Sequence, residues 1–382
     1  MRIVVVGGGI AGLTAAIALR RAGHAVAVFE RAPEPREVGA GISLAGNAML
    51  ALRAAGADDA VAQRGERLRR VEFRTWRGRV LAESDLGALD DRFGTRTIML
   101  HRADLVGALH SLLPPGVVRP GLSFGGLAQR GGTVVARFEG GDGQVEQDAD
   151  LLIGADGINS AVRLAMHGPE PVRYAGYTCW RGISLLPGIA PGLAWEAWGP
   201  GARLGMAPIG PGRTYWYSTV NAPPGGSDGP GIGRELGARF RRWLPPSADL
   251  IASTPEGAII RNDIVDRRPR RGWSDGRVVL IGDAAHPTTP NLGQGGAMAI
   301  EDGVVLAGLL PREGDPGPAL AAFERRRFAR AARVTRESLR LGSIGQWRSA
   351  PARAVRDALF AATPGWVMDR QYTWLVRYGR RL

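Results

Sequence analysis

The chain has 382 residues, 45% of them hydrophobic and 22% charged, so it is ordinary globular material too long for one compact core, and two lobes are expected. Its net charge of +13 is carried by arginine alone, and with no nucleic-acid-binding motif present this reads as a compositional bias giving a basic surface suited to anionic small molecules, not nucleic acid. A single cysteine, Cys179, excludes an intrachain disulfide and points to a reducing, cytoplasmic setting. No uncharged apolar run reaches the roughly 20 residues of a membrane span, and Gly7, Gly8, Gly9 and Gly12 break any signal-peptide pattern.

In chain order, Ile3–Val6 is a β-branched run, 13–22 is helix-forming, and 24–30 ends in Val26, Val28 and Phe29. Together they form a βαβ unit of the length that parallel pairing requires. Residues 45–55 read as a second helix, 71–82 and 94–100 as short strands, and 102–113 as a helix. Glycines punctuate strands over 117–145, as in an antiparallel meander, and 150–153 is a buried strand. From 166 to 270 tryptophans and tyrosines gather between Pro/Gly turns, which predicts a mixed, largely antiparallel sheet. Residues 278–281 form another buried strand, and helices are expected over 297–309, 319–341 and a shorter C-terminal stretch. There is no internal repeat.

Three motifs carry chemistry. The first is Gly7-x-Gly9-Ile-Ala11-Gly12, between a strand and a helix. Glycine permits the sharp turn, lets backbone amides reach a pyrophosphate, and allows close helix packing. The helix N-terminus then faces the phosphates with its partial positive charge. Glu30, followed by Arg31, ends the next strand, where a carboxylate can accept from ribose hydroxyls and would repel a 2′-phosphate, so FAD or NAD suits this site better than NADP. The second motif runs from Asp150 through Asp156-Gly157 to Ser160 and Arg163. An Asp-Gly turn followed by a helix cap is the structural reading of it; ligand binding at the C-terminal ends of parallel strands is the functional one. The third runs from Gly276 through Gly282-Asp283 and His286 to Pro290, Gly293, Gly295 and Gly296. Its carboxylate could accept from a ribityl hydroxyl, and its loop amides could stabilise negative charge on an electron-rich ring.

These motifs, in this order and at these separations, resemble those of the para-hydroxybenzoate hydroxylase-like, group A FAD-dependent monooxygenases, over nearly the whole chain. The resemblance implies a Rossmann-like α/β FAD-binding domain over 1–70, 101–165 and 276–382. It also implies a mixed β-sheet substrate domain over 71–100 and 166–275. His101-Arg102-Ala-Asp-Leu matches the family's helix start, where Arg102 would reach the FAD. By the same resemblance Asp156 and Gly157 serve FAD and NAD(P)H, Glu30 the ribose, Asp283 the ribityl chain, and Pro290–Gly296 the isoalloxazine ring. The implied chemistry is reduction of FAD by NAD(P)H, reaction with O2 to a C4a-hydroperoxide, and oxygen transfer to a small aromatic, heteroaromatic or polycyclic substrate. The cofactor carries that chemistry, so no Ser/His/Asp or paired-carboxylate constellation is needed.

Within the family, the segment Tyr174–Ile183 is most similar to urate hydroxylases, zeaxanthin epoxidases and salicylate-hydroxylase relatives. Arg203 and Tyr215 fall near the substrate-binding Arg and Tyr of the urate hydroxylases, and Tyr215-Trp216-Tyr217 also resembles the epoxidase pattern. Arg181, Arg203 and Tyr215 are therefore the candidates for the reaction itself: arginine pairs with a carboxylate or enolate, and a tyrosine hydroxyl orients a phenol-like group. Trp180, Trp195 and Trp216 are read as sheet packing, His286 as a loop-stabilising hydrogen bond, and Cys179 as a small buried residue. No histidine spacing fits a metal site. A halogenase-like or reductase member of the same fold is the nearest alternative, but the Trp-x-Trp-x-Ile-Pro segment and lysine of such halogenases are missing. A non-catalytic flavin- or nucleotide-binding protein is a more distant one.

Overall fold

The structure is a computed structural model and describes residues 1–34, 40–141, 143–186 and 189–380. A six-stranded sheet forms the base. Its order is Ser274–Asp275, Val278–Leu280, Leu151–Gly154, Arg2–Val6, Ala25–Glu30 and Val118–Pro120. All pairs are parallel except the first. The three central strands read as unbroken apolar runs because helices and the meander cover both faces. Ile10–Arg21 crosses over between the first two parallel strands and packs along Gly295–Leu309. The meander over 117–145 resolves into a short strand joined to the main sheet and a separate antiparallel sheet of Ser123–Arg130, Thr133–Gly140 and Gly143–Ala149.

A second sheet of seven strands runs Ile260–Asp266, Arg173–Ser184, Thr214–Asn221, Ala202–Pro208, Leu193–Trp198, Arg70–Thr75 and Val80–Asp85. It is antiparallel except where Leu193–Trp198 lies parallel to Arg70–Thr75. Strand alternation gives it two different faces. Trp180, Trp216, Leu204, Met206 and Trp195 point outward into one apolar cluster with Leu236, Phe240 and Ile251. These last three lie on the helices Ile232–Phe240 and Ser247–Ala252, in a region read from sequence as strands alone. Ile232, Leu236 and Phe240 do keep helical spacing, but flanking glycines and prolines mask it. The opposite, inner face carries Tyr177, Cys179, Arg181, Tyr215, Tyr217, Arg203 and Glu196.

Three further corrections concern elements. The short strands expected over 71–82 and 94–100 are Arg70–Thr75, Val80–Asp85 and Thr97–His101, with a helix, Leu86–Phe93, between the last two. Capping by Asp85, which accepts from the Ala88 amide at 2.9 Å, starts that helix. Thr97–His101 pairs with Gly41–Leu44 and Glu66–Leu68 in a small separate sheet. The single short C-terminal helix is two helices, Ala350–Ala361 and Gly365–Gly379, the first capped by Ser349. Among the described residues no helix is long and apolar enough to cross a membrane.

Candidate functional site

Parallel register sets the three glycine-bearing strand ends side by side. Val6 is level with Phe29 on one side and Gly154 on the other, and Gly154 with Leu280. The first turn is tight where the fold needs it and open where a ligand would. Gly7 has φ +107°, and a Cβ there would lie 2.6 Å from the Ala155 carbonyl oxygen. A Cβ on Gly12 would sit 1.9 Å from the Gly7 carbonyl oxygen, so glycine lets the helix seat against the turn. A Cβ on Gly9, in contrast, meets nothing within 4 Å. No side chain caps Ile10–Arg21, which leaves its first amides available to an anionic group. Glu30 is held in place at the neighbouring strand end, accepting from the Gly8 amide (2.7 Å) and the Ala32 amide (2.8 Å). Arg31 beside it is exposed. Ala11 faces away from the opening and sets the spacing to the third motif: a Cβ on Gly282 would come within 2.9 Å of the Ala11 Cβ.

The two aspartates that look alike in sequence are used differently. Asp156 turns back on its own chain, accepting from Ser160 Oγ (2.5 Å) and the amides of Ala161 (2.7 Å) and Val162 (3.2 Å). Its carboxylate thus caps the helix Ala161–His167, and burial raises its pKa against those hydrogen bonds. Gly157 beside it has φ +81° and open space where a side chain would be. Asp283, by contrast, has an exposed side chain. The protein around it raises its pKa, while His286 and Arg102 nearby pull the other way. Arg102 is itself exposed. Arg163, quoted in the second motif without a role, ties that motif to the third by donating to the carbonyls of Ala284 (3.0 Å) and Ala285 (3.1 Å).

The loop from Pro290 to Gly296 stands on a buried ionic cluster that sequence reasoning missed. Asp302 accepts from the Gly282 amide (2.9 Å) and Arg327 Nε (2.6 Å), and lies 2.6 Å from His286 Nε2. Glu301 accepts from Arg327 Nη1 (2.6 Å) and Arg330 Nη2 (2.6 Å). Asn47 bridges Glu301 (2.7 Å) to Gln294 in the loop (3.1 Å). Asp302 is held at a pKa of about 2: His286 and Arg327 facing it outweigh the burial that would raise it. The histidine accordingly fastens the loop, as expected. Gly293 takes φ +61° with nothing within 4 Å of its missing Cβ, and no side chain caps Gly295–Leu309. Gly295 also has room, whereas a Cβ on Gly296 would come 2.8 Å from Ile42.

The inner face of the seven-stranded sheet brings Arg181, Arg203 and Tyr215 together on three adjacent strands, with Arg181 opposite Tyr217 and Ile183 opposite Tyr215. Their side chains differ in freedom. Arg203, 2% exposed, donates to Glu196 (3.1 Å) and to Asn291 of the flavin-type loop (2.7 Å), and lies 5.3 Å from the Tyr177 ring centroid. Asn291 also donates to the Tyr177 hydroxyl (2.9 Å) and the Ser338 carbonyl (2.8 Å). Glu196 additionally receives the Trp198 indole (2.7 Å) and the Tyr217 hydroxyl. Arg203 is therefore engaged as a tie between sheet and loop. Arg181 contacts Asn262 (3.4 Å) and interacts with Cys179, Tyr215 and Tyr217. Burial pushes the Tyr215 hydroxyl up despite Arg181 beside it, and raises the Cys179 thiol, so both are neutral near pH 7. Glu196, Tyr217 and Asn291 were findable only in part. Tyr217 shares Tyr215's face at spacing two, but nothing local marks Glu196 or Asn291. Among the described residues no His, Cys, Asp and Glu group is arranged to hold a metal.

The glycine edge matches a known family. The FAD binding domain model covers residues 1–178 and 245–338. The chain belongs to the FAD binding domain family. Aurachin C monooxygenase/isomerase of Stigmatella aurantiaca is 44% identical over 360 residues, 94% of this chain and 93% of the relative. The 3-amino-4-hydroxybenzoate 2-monooxygenase of Streptomyces cremeus is 38% identical over 388 residues, 100% of this chain and 95% of the relative. Among solved structures, HpxO of Klebsiella pneumoniae complexed with FAD and uric acid superimposes with a TM-score of 0.91 at 29% identity, covering 100% of this chain and 98% of that one. This flavoprotein is thus a FAD-dependent monooxygenase of the group A kind that its motifs resemble.

Proposed function

We propose that this FAD-dependent monooxygenase oxidises a small aromatic or heteroaromatic substrate bearing an acidic ring oxygen, with NAD(P)H and O2 as co-substrates in a reducing, cytoplasmic setting. The observation that carries the reading is the convergence of Arg181, Arg203 and Tyr215 on the sheet face whose Arg203 is hydrogen-bonded into the Pro290–Gly296 loop.

The glycine edge fits FAD: Gly9, Gly157 and Gly293 leave space that a Cβ would fill, and two uncapped helix N-termini face it. In this reading the turn over 7–12 holds the pyrophosphate and Glu30 the ribose, with Arg31 at the rim. Asp283 and Arg102 hold the ribityl–phosphate region, and Pro290, Gly293, Gly295 and Gly296 line the ring. Asp156 acts through backbone, by fixing the Gly157 turn. Bound FAD supplies the activation of O2 and the transfer of one oxygen atom to the substrate.

The chain's own residues position that event. Arg181, the less committed of the two arginines, receives the substrate's anionic oxygen and stabilises negative charge that builds on the ring. Tyr215, neutral and buried, orients the ring by hydrogen bonding. Arg203 and Asn291 fix the distance between sheet and loop, and the closed inner face limits water. The relatives support a hydroxylated or aminated aromatic ring: one is named for aminohydroxybenzoate, and HpxO was solved with uric acid.

The test is reductant oxidation by purified, yellow protein across hydroxyquinolines, aminohydroxybenzoates and purines, with NADH and NADPH in parallel. A ring substrate that accelerates oxidation and yields a product heavier by one oxygen is expected. Yellow protein that none of these compounds stimulates, with either reductant, would overturn the reading.

A further inference from the structure

We propose that the C-terminal helix pair docks this enzyme, without insertion across the bilayer, on an anionic lipid surface. The inference is independent of the substrate reading and rests on a helix built inside out. In Ala350–Ala361, the residues facing solvent at helical spacing are apolar: Ala354, Val355, Ala358 and Leu359, with Val355 56% and Leu359 64% exposed. None of the helix's three charged residues is exposed: Arg353 and Asp357 are half-buried, and Arg356 is buried. Arg356 donates to the Gly345 carbonyl (3.1 Å), and its guanidinium lies 5.1 Å from the Trp198 ring centroid. Phe360, 4.5 Å from the Trp198 ring, fixes the same rotation. The helix therefore cannot turn its apolar face inward without tearing Arg356 from its partners.

The exposed stripe continues across the corner into Gly365–Gly379, where Trp366 is 63% and Val367 37% exposed. Four large apolar side chains exposed within 13 residues of one another mark an interaction site rather than scattered surface hydrophobics. Charge selects the occupant. Residues 347–380 contain six arginines and two aspartates, and Arg348, Arg370 and Arg377 are exposed in this same segment. A two-fold contact with a second copy would set the same basic rim against itself, in molecules of net charge +13. A surface of anionic headgroups complements the rim and accepts the stripe, with tryptophan at the boundary. The depth is that of an interfacial helix, since no described helix can span.

The full-length, FAD-loaded enzyme should sediment with mixed phosphatidylcholine–phosphatidylglycerol vesicles, bind pure phosphatidylcholine far less, and be released by salt. Replacing Leu359→Glu and Trp366→Glu together should lower partitioning about a hundredfold or more, since each buried side chain of this size is worth at least about tenfold, with FAD content unchanged. Should the double variant fail to fold, lipids with brominated chains serve in its place: they should quench wild-type tryptophan fluorescence, and quench Trp366→Phe less. Wild-type protein that stays in the supernatant with anionic vesicles overturns the proposal. So does a wild-type dimer that Leu359→Glu converts to monomer, because a second copy then covers the stripe.

Discussion

Replacing Asp302 by asparagine tests the claim that the flavin-type loop stands on a charge-balanced buried cluster. The change keeps the side chain's shape and removes one of two carboxylates facing Arg327 and Arg330. Arg327 and Asp302 are both fully buried, so an uncompensated positive charge remains where no water can reach it. Breaking such a pair from one side costs about 3–5 kcal/mol. At an unfolding entropy of ~2.1 cal/mol/K per residue, this chain changes stability by roughly 0.8 kcal/mol per degree near its midpoint, so Tm should fall by about 4–6 °C. The pH dependence follows from the same group. Its folded pKa of about 2 lies below the ordinary 3.8, so the stability it contributes, about 2 kcal/mol, is fully present above pH 4 and is lost as pH falls through about 2. Scanning calorimetry of wild type and Asp302→Asn at neutral pH, with acid titrations of each, reads both effects. Removing the opposite charge as well, in Asp302→Leu with Arg327→Met, should recover part of the loss. An Asp302→Asn protein melting within about 1 °C of wild type would refute the reasoning, because the cluster would then hold its charge without that carboxylate.

Gly9→Val should leave the fold intact, because its Cβ has free space, yet strip the protein of flavin; absorbance and circular dichroism together decide this. Gly12→Ala should instead fail to accumulate as folded protein, since its Cβ would collide with the Gly7 carbonyl. Asp283→Ala should weaken FAD retention, read by flavin release on gel filtration. Arg181→Gln should raise the KM of an acidic substrate about tenfold or more, the worth of a charge-assisted hydrogen bond, with FAD content unchanged. Arg203→Ala should lose both stability and flavin, because Glu196 is left unpaired and Asn291 loses its partner; a variant with wild-type Tm and FAD would remove Arg203 from its role as a tie.

What the sequence determined by itself is the backbone scaffold of the cofactor edge. Apolar runs ending in Gly7, Gly154 and Gly282 demand buried parallel strands with tight turns, and their order and spacing identify the family, because glycine at a turn is a requirement that one residue expresses locally. The division of tryptophans and tyrosines between two faces of a sheet was likewise written in the alternation of residues 177–183 and 214–220. Tertiary structure decided which side chains are free to act. Asp156 and Asp283 follow equivalent strand ends, but only contact with a following helix turns one carboxylate inward as a cap while the other stays open. Arg181 and Arg203 carry the same charge, and it is Glu196 on the neighbouring strand and Asn291, 88 residues away, that engage one and spare the other. The Glu301–Asp302 cluster with Arg327 and Arg330 was invisible for the same reason: its members read as ordinary helical charges until two helices pack and remove the water between them. Backbone requirements are local and can be read along the chain; partnership and desolvation are made between distant segments and exist only once the chain has folded.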